Sequence, residues 1–307
     1  MAVRNVEQEI ERLNAAREAP AEEAEAALRK ALRDRVNLLV AKAAKIAAER
    51  RAVELIPDLV AAFDRLMEKS VERDSQCWGK TAIVKALAEL EYRESAVFVR
   101  GVRHIQLEAS WGRSEDTAGT VRAQCAAALP ACTDLRRGEI LRLLVDGLAD
   151  CDMTVRIEAA RALAQMDGDE AALVLRIKAR MGDEESQVCG QVFDALLATE
   201  RGDAIGFISE FFMRSDQREE AALALGASRI PAAVTVLREA LDGVREQDFR
   251  GVLLRAISAS RQDAAIEFLI ELVRRDGGDA ALAYEALKLH RESPEIWRRV
   301  EEARHSI

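Results

Sequence analysis

The chain repeats one pattern of small and aliphatic positions along most of its length. Val155, Ala159, Ala160, Ala162 and Leu163 define the pattern, and copies of it begin at residues 39, 79, 121, 155, 188, 217, 249 and 279. The apolar residues of each copy are spaced at i, i+4, i+5, i+7 and i+8, which places them on one face of an α-helix. Successive copies start between 29 and 42 residues apart, a period typical of stacked helical repeats.

Each copy predicts a first helix, a short turn and a second amphipathic helix. Pro57, Pro231 and Pro294 stand where second helices begin, and proline suits a first helical turn because no bond to its missing amide is needed there. The pattern predicts nine antiparallel pairs: 3–18 with 21–34, 36–49 with 57–69, 76–91 with 94–108, 117–130 with 136–149, 154–166 with 169–181, 186–199 with 203–214, 216–227 with 231–242, 247–260 with 263–275, and 279–290 with 294–305.

These pairs predict an all-α chain, arranged as a right-handed α-α superhelix. Residues 1–307 are expected to form one solenoid, in which each unit contacts only its neighbours. The opening pair, 1–34, lacks the repeated pattern and is expected to cap the N-terminus. Residues 36–275 form the repeats, and residues 279–307 form the C-terminal capping pair.

The residues Thr154 to Leu163 resemble the HEAT repeat, in particular the bacterial HEAT-like repeats also found in phycobilin lyases. The resemblance covers roughly residues 36 to 290. Segments such as Ala27–Leu32 and Cys77–Lys80 are also similar to a bacterial group of HEAT-repeat proteins without assigned function. The matching positions are packing positions, so the resemblance implies a fold and leaves the activity open.

Composition narrows the choice of partners. The formal net charge is −9, with 54 acidic and 45 basic residues, which argues against a nucleic-acid binder because phosphates require a basic face. The longest uncharged run, 123–133, is too short to span a membrane, and the first 30 residues lack the apolar core of a signal peptide. We therefore expect a soluble, cytoplasmic protein without a membrane-bound part.

Motifs for catalysis, metals and cofactors are not evident in the sequence. The five cysteines, at 77, 125, 132, 151 and 189, and the three histidines, at 104, 290 and 305, show no zinc-site spacing. The P-loop, the G-x-S-x-G and the H-E-x-x-H motifs are missing as well. We expect no catalytic residues, no metal and no cofactor, and we expect the cysteines to be reduced core residues.

A basic residue recurs beside the repeated apolar positions. The set is Lys80, Arg122, Arg156, Arg218 and Arg250. These cations would either bind acidic groups of a partner or pair with carboxylates between stacked repeats. Acidic residues precede most of the copies, so the second interpretation is favoured.

The largest break in the period lies between the copies at 79 and 121. It is either the candidate binding site or a longer loop whose Trp111 fills a gap in the stack. Insertions into repeat arrays fall on one face, often the binding face. Tryptophan and arginine are enriched at binding hot spots. The candidate site residues are Trp78, Lys80, His104, Trp111 and Arg113.

A second apolar patch is predicted on the helix that contains Phe207, Phe211 and Phe212. Phe207 and Phe211 are four residues apart and therefore share a face that can enter the core. Phe212 points about 100° further round the helix. Phe211 and Phe212 are the candidate surface residues of this patch.

Three functions compete. The first is a non-enzymatic scaffold or adaptor that presents its second helices to a protein or peptide partner. The second is a lyase or chaperone for a tetrapyrrole-type chromophore, held near Trp78 and Trp111, which rests on the resemblance to lyase repeats. The third is a HEAT-like DNA glycosylase, which the acidic charge disfavours.

Overall fold

The computed structural model describes residues 6–110, 112–166, 168–214, 216–275 and 277–305. Contacts divide the chain into two compact units, Met1–Ala162 and Leu163–Ile307. Most of the described residues lie in helices, and their strands form one two-stranded sheet, so the expected all-α class is confirmed. The prediction of a single solenoid over 1–307, with its capping pairs, stays a prediction.

The first unit contains ten helices and both strands among its described residues. Their bounds are α1 Val6–Ala15, α2 Ala21–Leu32, α3 Asn37–Glu49, α4 Ile56–Met67, α5 Ser70–Arg73, α6 Trp78–Glu89, α7 Ala96–Val102, β1 Leu107–Ser110, β2 Arg113–Asp116, α8 Gly119–Ala128, α9 Arg137–Leu148 and α10 Met153–Ala164. Helix α10 extends two residues past the boundary of this unit. First helices pack on first helices here, as in α3 on α6 and α6 on α8.

The second unit repeats this arrangement. Its helices are α11 Asp169–Met181, α12 Ser186–Glu200, α13 Ala204–Ser209, α14 Arg218–Ala227, α15 Pro231–Gly243, α16 Gln247–Ala259, α17 Asp263–Arg274, α18 Ala280–Leu287 and α19 Pro294–His305. A 3₁₀ turn, Glu210–Met213, extends α13. Helices α12, α14, α16 and α18 stack in sequence as one layer.

The repeated positions form the interior of this packing. Val155, Ala159, Ala160, Ala162 and Leu163 have no exposed surface. The corresponding residues after positions 79, 121, 217 and 249 are also buried. Small side chains at these slots let neighbouring first helices approach closely, and aliphatic ones fill the remaining space.

Gly226 shows how closely these helices approach. A Cβ atom at this position would lie 2.1 Å from the carbonyl oxygen of Ala256. The contact joins the backbones of α14 and α16, so neither side can move aside easily. Gly226 is the second-to-last residue of α14 and allows this close approach.

Most of the predicted helix bounds agree with the structure to within a few residues. The clearest error is the second helix of the third pair, predicted over 94–108, because α7 ends at Val102 and a strand begins at Leu107. No helix among the described residues combines the length and the apolar character that crossing a membrane requires.

Candidate functional site

The break in the repeat period folds as a β-hairpin. Strand β1 pairs antiparallel with β2, with Leu107 opposite Asp116 and Ser110 opposite Arg113. The residues from Ile105 to Ser110 alternate apolar and polar side chains, a period of two that favours a strand over a helix. Gly112 in the connecting turn has φ +81°, a conformation that glycine adopts without steric cost.

The hairpin has an inverted polarity. Gln106 and Glu108 are buried, with 1% and 7% of their surface exposed. Ile105 and Leu107 point outward and are 66% and 60% exposed. An exposed apolar pair above a buried polar pair is the reverse of an ordinary half-buried strand, and the hairpin holds Ile105 and Leu107 in solvent. We call these two residues the hairpin surface.

Glu108 receives four short hydrogen bonds beneath the hairpin. The donors are the Ser75 hydroxyl, the Gln76 backbone N–H, the Gln106 side-chain amide and the Thr117 hydroxyl, each at 2.7 Å. Burial raises the pKa of this carboxyl, but these hydrogen bonds outweigh it and lower the pKa to about 2. Glu108 is therefore ionised at neutral pH and fixes the hairpin to the segment before α6.

Gln106 links the hairpin to a buried ion pair. Its side-chain oxygen accepts a hydrogen bond from Lys80 Nζ at 2.9 Å, and its amide donates to the Asp74 carbonyl at 2.8 Å. Lys80 Nζ also lies 3.2 Å from the Asp74 carboxylate, and neither side chain is exposed. Asp74, Lys80, Gln106 and Glu108 form one connected group, which we call the polar anchor.

The residues that precede α6 adopt an uncommon backbone conformation. Gln76 and Cys77 both have positive φ, at 60° and 56°. Two consecutive left-handed residues other than glycine cost energy, and the Gln76 N–H donates to Glu108. The Asp74 carboxylate accepts from the backbone N–H groups of Gly79 and Lys80, at 2.8 and 2.9 Å. The polar anchor therefore fixes both the hairpin and the start of α6.

Arg122 joins the far side of the hairpin to the turn that follows α9. Its guanidinium binds Asp150 through two hydrogen bonds, of 2.7 and 2.9 Å, and Asp116 at 2.6 Å. It also donates to the carbonyl of His104 at 2.9 Å. Burial acts to lower the pKa of Arg122, but the two carboxylates outweigh it and raise the pKa. A cleft of about 390 Å³ lies over this cluster and is lined by Ile105, Asp146 and neighbouring residues.

The predicted site residues differ in how far they are exposed to solvent. Lys80 is fully buried in the polar anchor, so it does not face a partner. His104 is half-buried and lies 3.2 Å from Gln106, which brings it to the same side chain as Lys80; burial lowers the pKa of His104. Trp78 is 54% exposed at the start of α6, and Arg113 is exposed on β2. Trp111 lies outside the described residues.

Three of the five repeated basic residues form ion pairs between stacked repeats, as the favoured interpretation predicts. Lys80 pairs instead with Asp74, just before its own helix, and Arg156 donates to the backbone carbonyls of Asp150 and Cys151. Arg122 pairs with Asp150, Arg218 with Glu246 at 2.6 Å, and Arg250 with Asp279. In each pair the carboxylate comes from the beginning of the following repeat. The acidic residue that precedes the arginine's own repeat is not the partner in these pairs. Arg122 is the exception, because it also binds Asp116.

The aromatic patch is only partly at the surface. Phe211 is fully buried, with ring centroids 5.0 Å from Phe193 and 5.4 Å from Phe207. The expectation that Phe211 lies in a surface patch is wrong, because Phe193 on α12 provides an aromatic neighbour that encloses the ring. Phe212 is half-buried against Phe249, at a centroid distance of 6.1 Å.

A different apolar surface on α11 was missed by sequence reasoning. Leu173, Ile177 and Met181 are 59%, 61% and 77% exposed. They follow one another at intervals of four residues and therefore form one ridge along the helix. The sequence of α11 contains two apolar stripes, which could have indicated that one of them is exposed. The structure buries only the stripe that includes Leu175 and Ala179.

The cysteines are single thiols, and four of the five are buried. All five cysteines lie within the described residues as free thiols, and Cys151 is the exposed one. Burial raises the pKa of Cys77 to about 11, so its thiol is protonated at neutral pH. Within the described ranges no group of three or more His, Cys, Asp or Glu side chains is arranged to hold a metal ion.

Comparison with known proteins identifies one repeat. The family model of the PBS lyase HEAT-like repeat matches residues 217–243, which contain α14 and α15. The HEAT-like resemblance is thereby confirmed for this helix pair. No curated protein matches the chain. Human deoxyhypusine hydroxylase in complex with glycerol is a similar solved structure, at 19% identity over 84% of this chain and 91% of that chain. Its TM-score is 0.32, a likeness that carries no inference about activity.

Proposed function

We propose that the chain is a non-enzymatic scaffold that binds a protein or peptide partner, with the hairpin surface as a contact site. The observation that carries the proposal is the inverted polarity of the hairpin. Ile105 and Leu107 are held in solvent while Gln106 and Glu108 beneath them are buried. A partner that covers this pair removes apolar surface from water, which is the main driving force of protein association.

The polar groups below the hairpin support a positioning role. Lys80, Gln106 and Glu108 are each bound to other groups of the same cluster. A catalytic acid or base needs reach to a substrate and a pKa near the working pH, whereas the pKa of Glu108 is about 2. The cluster thus holds a strained loop and a hairpin in one conformation, which lowers the entropy cost of binding.

The cleft beside Ile105 extends the contact site. Its lining includes Leu143, Asp146 and Arg103 as well as Ile105, so an apolar wall adjoins groups of both charges. Asp146 is exposed on α9. A partner side chain that enters the cleft gains apolar contact with Ile105 and Leu143 and places its polar end near the rim. This combination of a small apolar core and a polar rim is typical of protein interfaces.

Substitution of Leu107 tests the proposal. Leu107→Glu changes an exposed side chain, so the fold is retained, and Val53→Glu is the matched control because Val53 is 52% exposed elsewhere in the first unit. The tagged protein and both variants are used to recover partners from cells that produce the chain. Burial of one leucine contributes about 2 kcal/mol, so Leu107→Glu should weaken binding of the recovered partner about 30-fold while Val53→Glu leaves it unchanged.

Two results would overturn the proposal. Equal retention of the partner by Leu107→Glu and by the wild-type protein would remove the hairpin surface from the interface. Failure to recover any protein, together with measured turnover of a small molecule, would replace the scaffold function with an enzymatic one.

A further inference from the structure

We infer that the second unit carries a separate docking surface for an acidic amphipathic helix of a partner protein. The surface consists of the ridge Leu173, Ile177 and Met181 on α11, together with Met213 at the end of the adjoining 3₁₀ turn. We call it the α11 ridge. Met213 is 91% exposed, and the hydrogen bond from Arg214 to the Arg180 carbonyl, at 3.4 Å, places this turn beside the last turn of α11.

The geometry of the ridge suits a helix. Residues four apart on an α-helix form a continuous ridge, and such a ridge packs between the corresponding ridges of a second helix. The span from Leu173 to Met181 is eight residues, or about 12 Å at the helical rise. Two turns of a partner helix cover this length. Methionine adapts its shape to the surface it meets and is used at many helix-binding sites.

The charges beside the ridge select an acidic partner. Arg176 and Arg180 lie on one side of the ridge, and Lys178 lies on the other. Arg176 and Arg180 stack on the Phe207 ring, with the guanidinium carbons 4.4 and 4.5 Å from its centroid. Stacking keeps these cations in place beside the apolar residues. A helix with acidic residues on either side of its apolar stripe therefore complements this surface.

Arg214 provides an additional cation for the partner. Its guanidinium stacks on Phe211 at 5.1 Å and donates to a backbone carbonyl. Among the described residues no carboxylate lies within ion-pair distance of it. The other three cations, by contrast, are paired within the chain: Arg176 with Glu200, Arg180 with Glu210 and Lys178 with Asp183. A carboxylate of the partner could therefore bind Arg214 without first displacing a carboxylate of this chain.

The α11 ridge is independent of the hairpin surface, which lies in the other unit. Selection from a displayed peptide library tests it. The probe is a library of 16-residue helices with leucine at i, i+4 and i+8, whose flanking positions vary among Glu, Lys and Ser. The full-length protein is the bait, and Ile177→Asp is the counter-selection bait. Ile177 is exposed, so this substitution leaves the core unchanged.

The expected result is enrichment of Glu-flanked helices that do not bind Ile177→Asp. As free peptides, these helices should bind the wild-type protein at least 10-fold more tightly than Ile177→Asp, by fluorescence anisotropy. Arg214→Gln should weaken binding about threefold, and this effect should disappear at high salt. Leu289→Asp, a control at a position that is 53% exposed in the same unit, should bind as the wild type does. Leu107→Glu should also bind normally, which separates this surface from the hairpin surface.

Other results would overturn the inference. Enrichment of Lys- or Ser-flanked helices would contradict the preference for an acidic partner. Absence of any binder that Ile177→Asp weakens would show that the α11 ridge does not bind a helix. Self-association in sedimentation that Ile177→Asp abolishes would assign the surface to a second copy of the chain. Binding to vesicles of phosphatidylserine and phosphatidylcholine that the same variant abolishes would assign it to a lipid surface.

Discussion

Replacement of Glu108 by glutamine measures what the polar anchor contributes to the first unit. Glutamine has nearly the same size, but it has one acceptor oxygen in place of the two that receive four hydrogen bonds at 2.7 Å. The NH₂ group of the glutamine cannot accept a hydrogen bond, so the donors that face it would lose their acceptor. The substitution therefore removes the charge and leaves buried donors without a partner, and each such loss is costly.

The magnitude follows from the pKa of Glu108. Folding lowers this pKa from 4.5 to about 2, and each unit corresponds to about 1.4 kcal/mol. The ionised form thus contributes about 3 kcal/mol at pH 7. Because the folded-state pKa is the lower one, the contribution is complete above pH 4.5 and is lost as the pH falls through 2. At pH 3 less than half of this contribution remains.

Urea denaturation at pH 7 and at pH 3 provides the assay, with tryptophan fluorescence and circular dichroism as probes. Glu108→Gln should be less stable than the wild type by about 3 kcal/mol at pH 7, and the difference should narrow at pH 3. Glu115→Gln is the control, because Glu115 is paired with Glu108 across the hairpin but is exposed. A difference below about 0.5 kcal/mol at pH 7, the size of an ordinary surface effect, would refute the reasoning. So would a difference that does not change with pH.

Three further predictions concern other contacts. Asp150→Asn breaks the paired hydrogen bonds to the buried Arg122 and should lower the free energy of unfolding by about 3 kcal/mol, measured in urea. Gly226→Ala places a Cβ atom 2.1 Å from the Ala256 carbonyl oxygen, so it should lower the melting temperature by several degrees. A thiol reagent should modify Cys151 rapidly in the folded protein and the four buried cysteines only after unfolding.

Each of these predictions has a matched comparison. Asp146→Asn changes an exposed carboxylate near the same cleft and should shift stability by less than about 0.5 kcal/mol. Gly138→Ala adds a methyl group where no atom lies within 4 Å and should not destabilise α9. Rapid modification of more than one cysteine in the folded protein would contradict the assigned burial, and unchanged stability of Asp150→Asn would show that Arg122 finds another partner.

The hairpin could be predicted only in part from the local sequence pattern. The alternation from Ile105 to Ser110 was present in the sequence, yet the helical period on both sides favoured extending the helix to residue 108. A period of two predicts a strand but does not say which face is buried. An ordinary half-buried strand would place Ile105 and Leu107 inside. The structure places them outside, because Lys80, the Ser75 hydroxyl and the Gln76 N–H form a polar surface whose hydrogen bonds Gln106 and Glu108 accept.

The α11 ridge illustrates the same limit on a helix. Leu173 and Ile177 have the spacing of core residues, and so does the pair Leu175 and Ala179. Sequence spacing identifies both stripes, but it cannot rank them, because the choice depends on which side of α11 the next helices occupy. Phe211 differs from the α11 ridge in the opposite direction. Its ring is expected at the surface, but Phe193 on α12 encloses it.

The amino-acid pattern predicts most of the helix pairs, the buried repeated positions and the acidic balance, because each depends on residues that are near one another along the chain or on composition. The burial of Lys80 as an internal cation, the outward apolar side chains of the hairpin and the uncovered stripe of α11 follow from the three-dimensional packing instead. These outcomes depend on contacts between residues about 25 or more positions apart, such as Lys80 with Gln106 and Ser75 with Glu108. A linear pattern specifies which side chains need a partner, but the packed fold determines which partners are within reach.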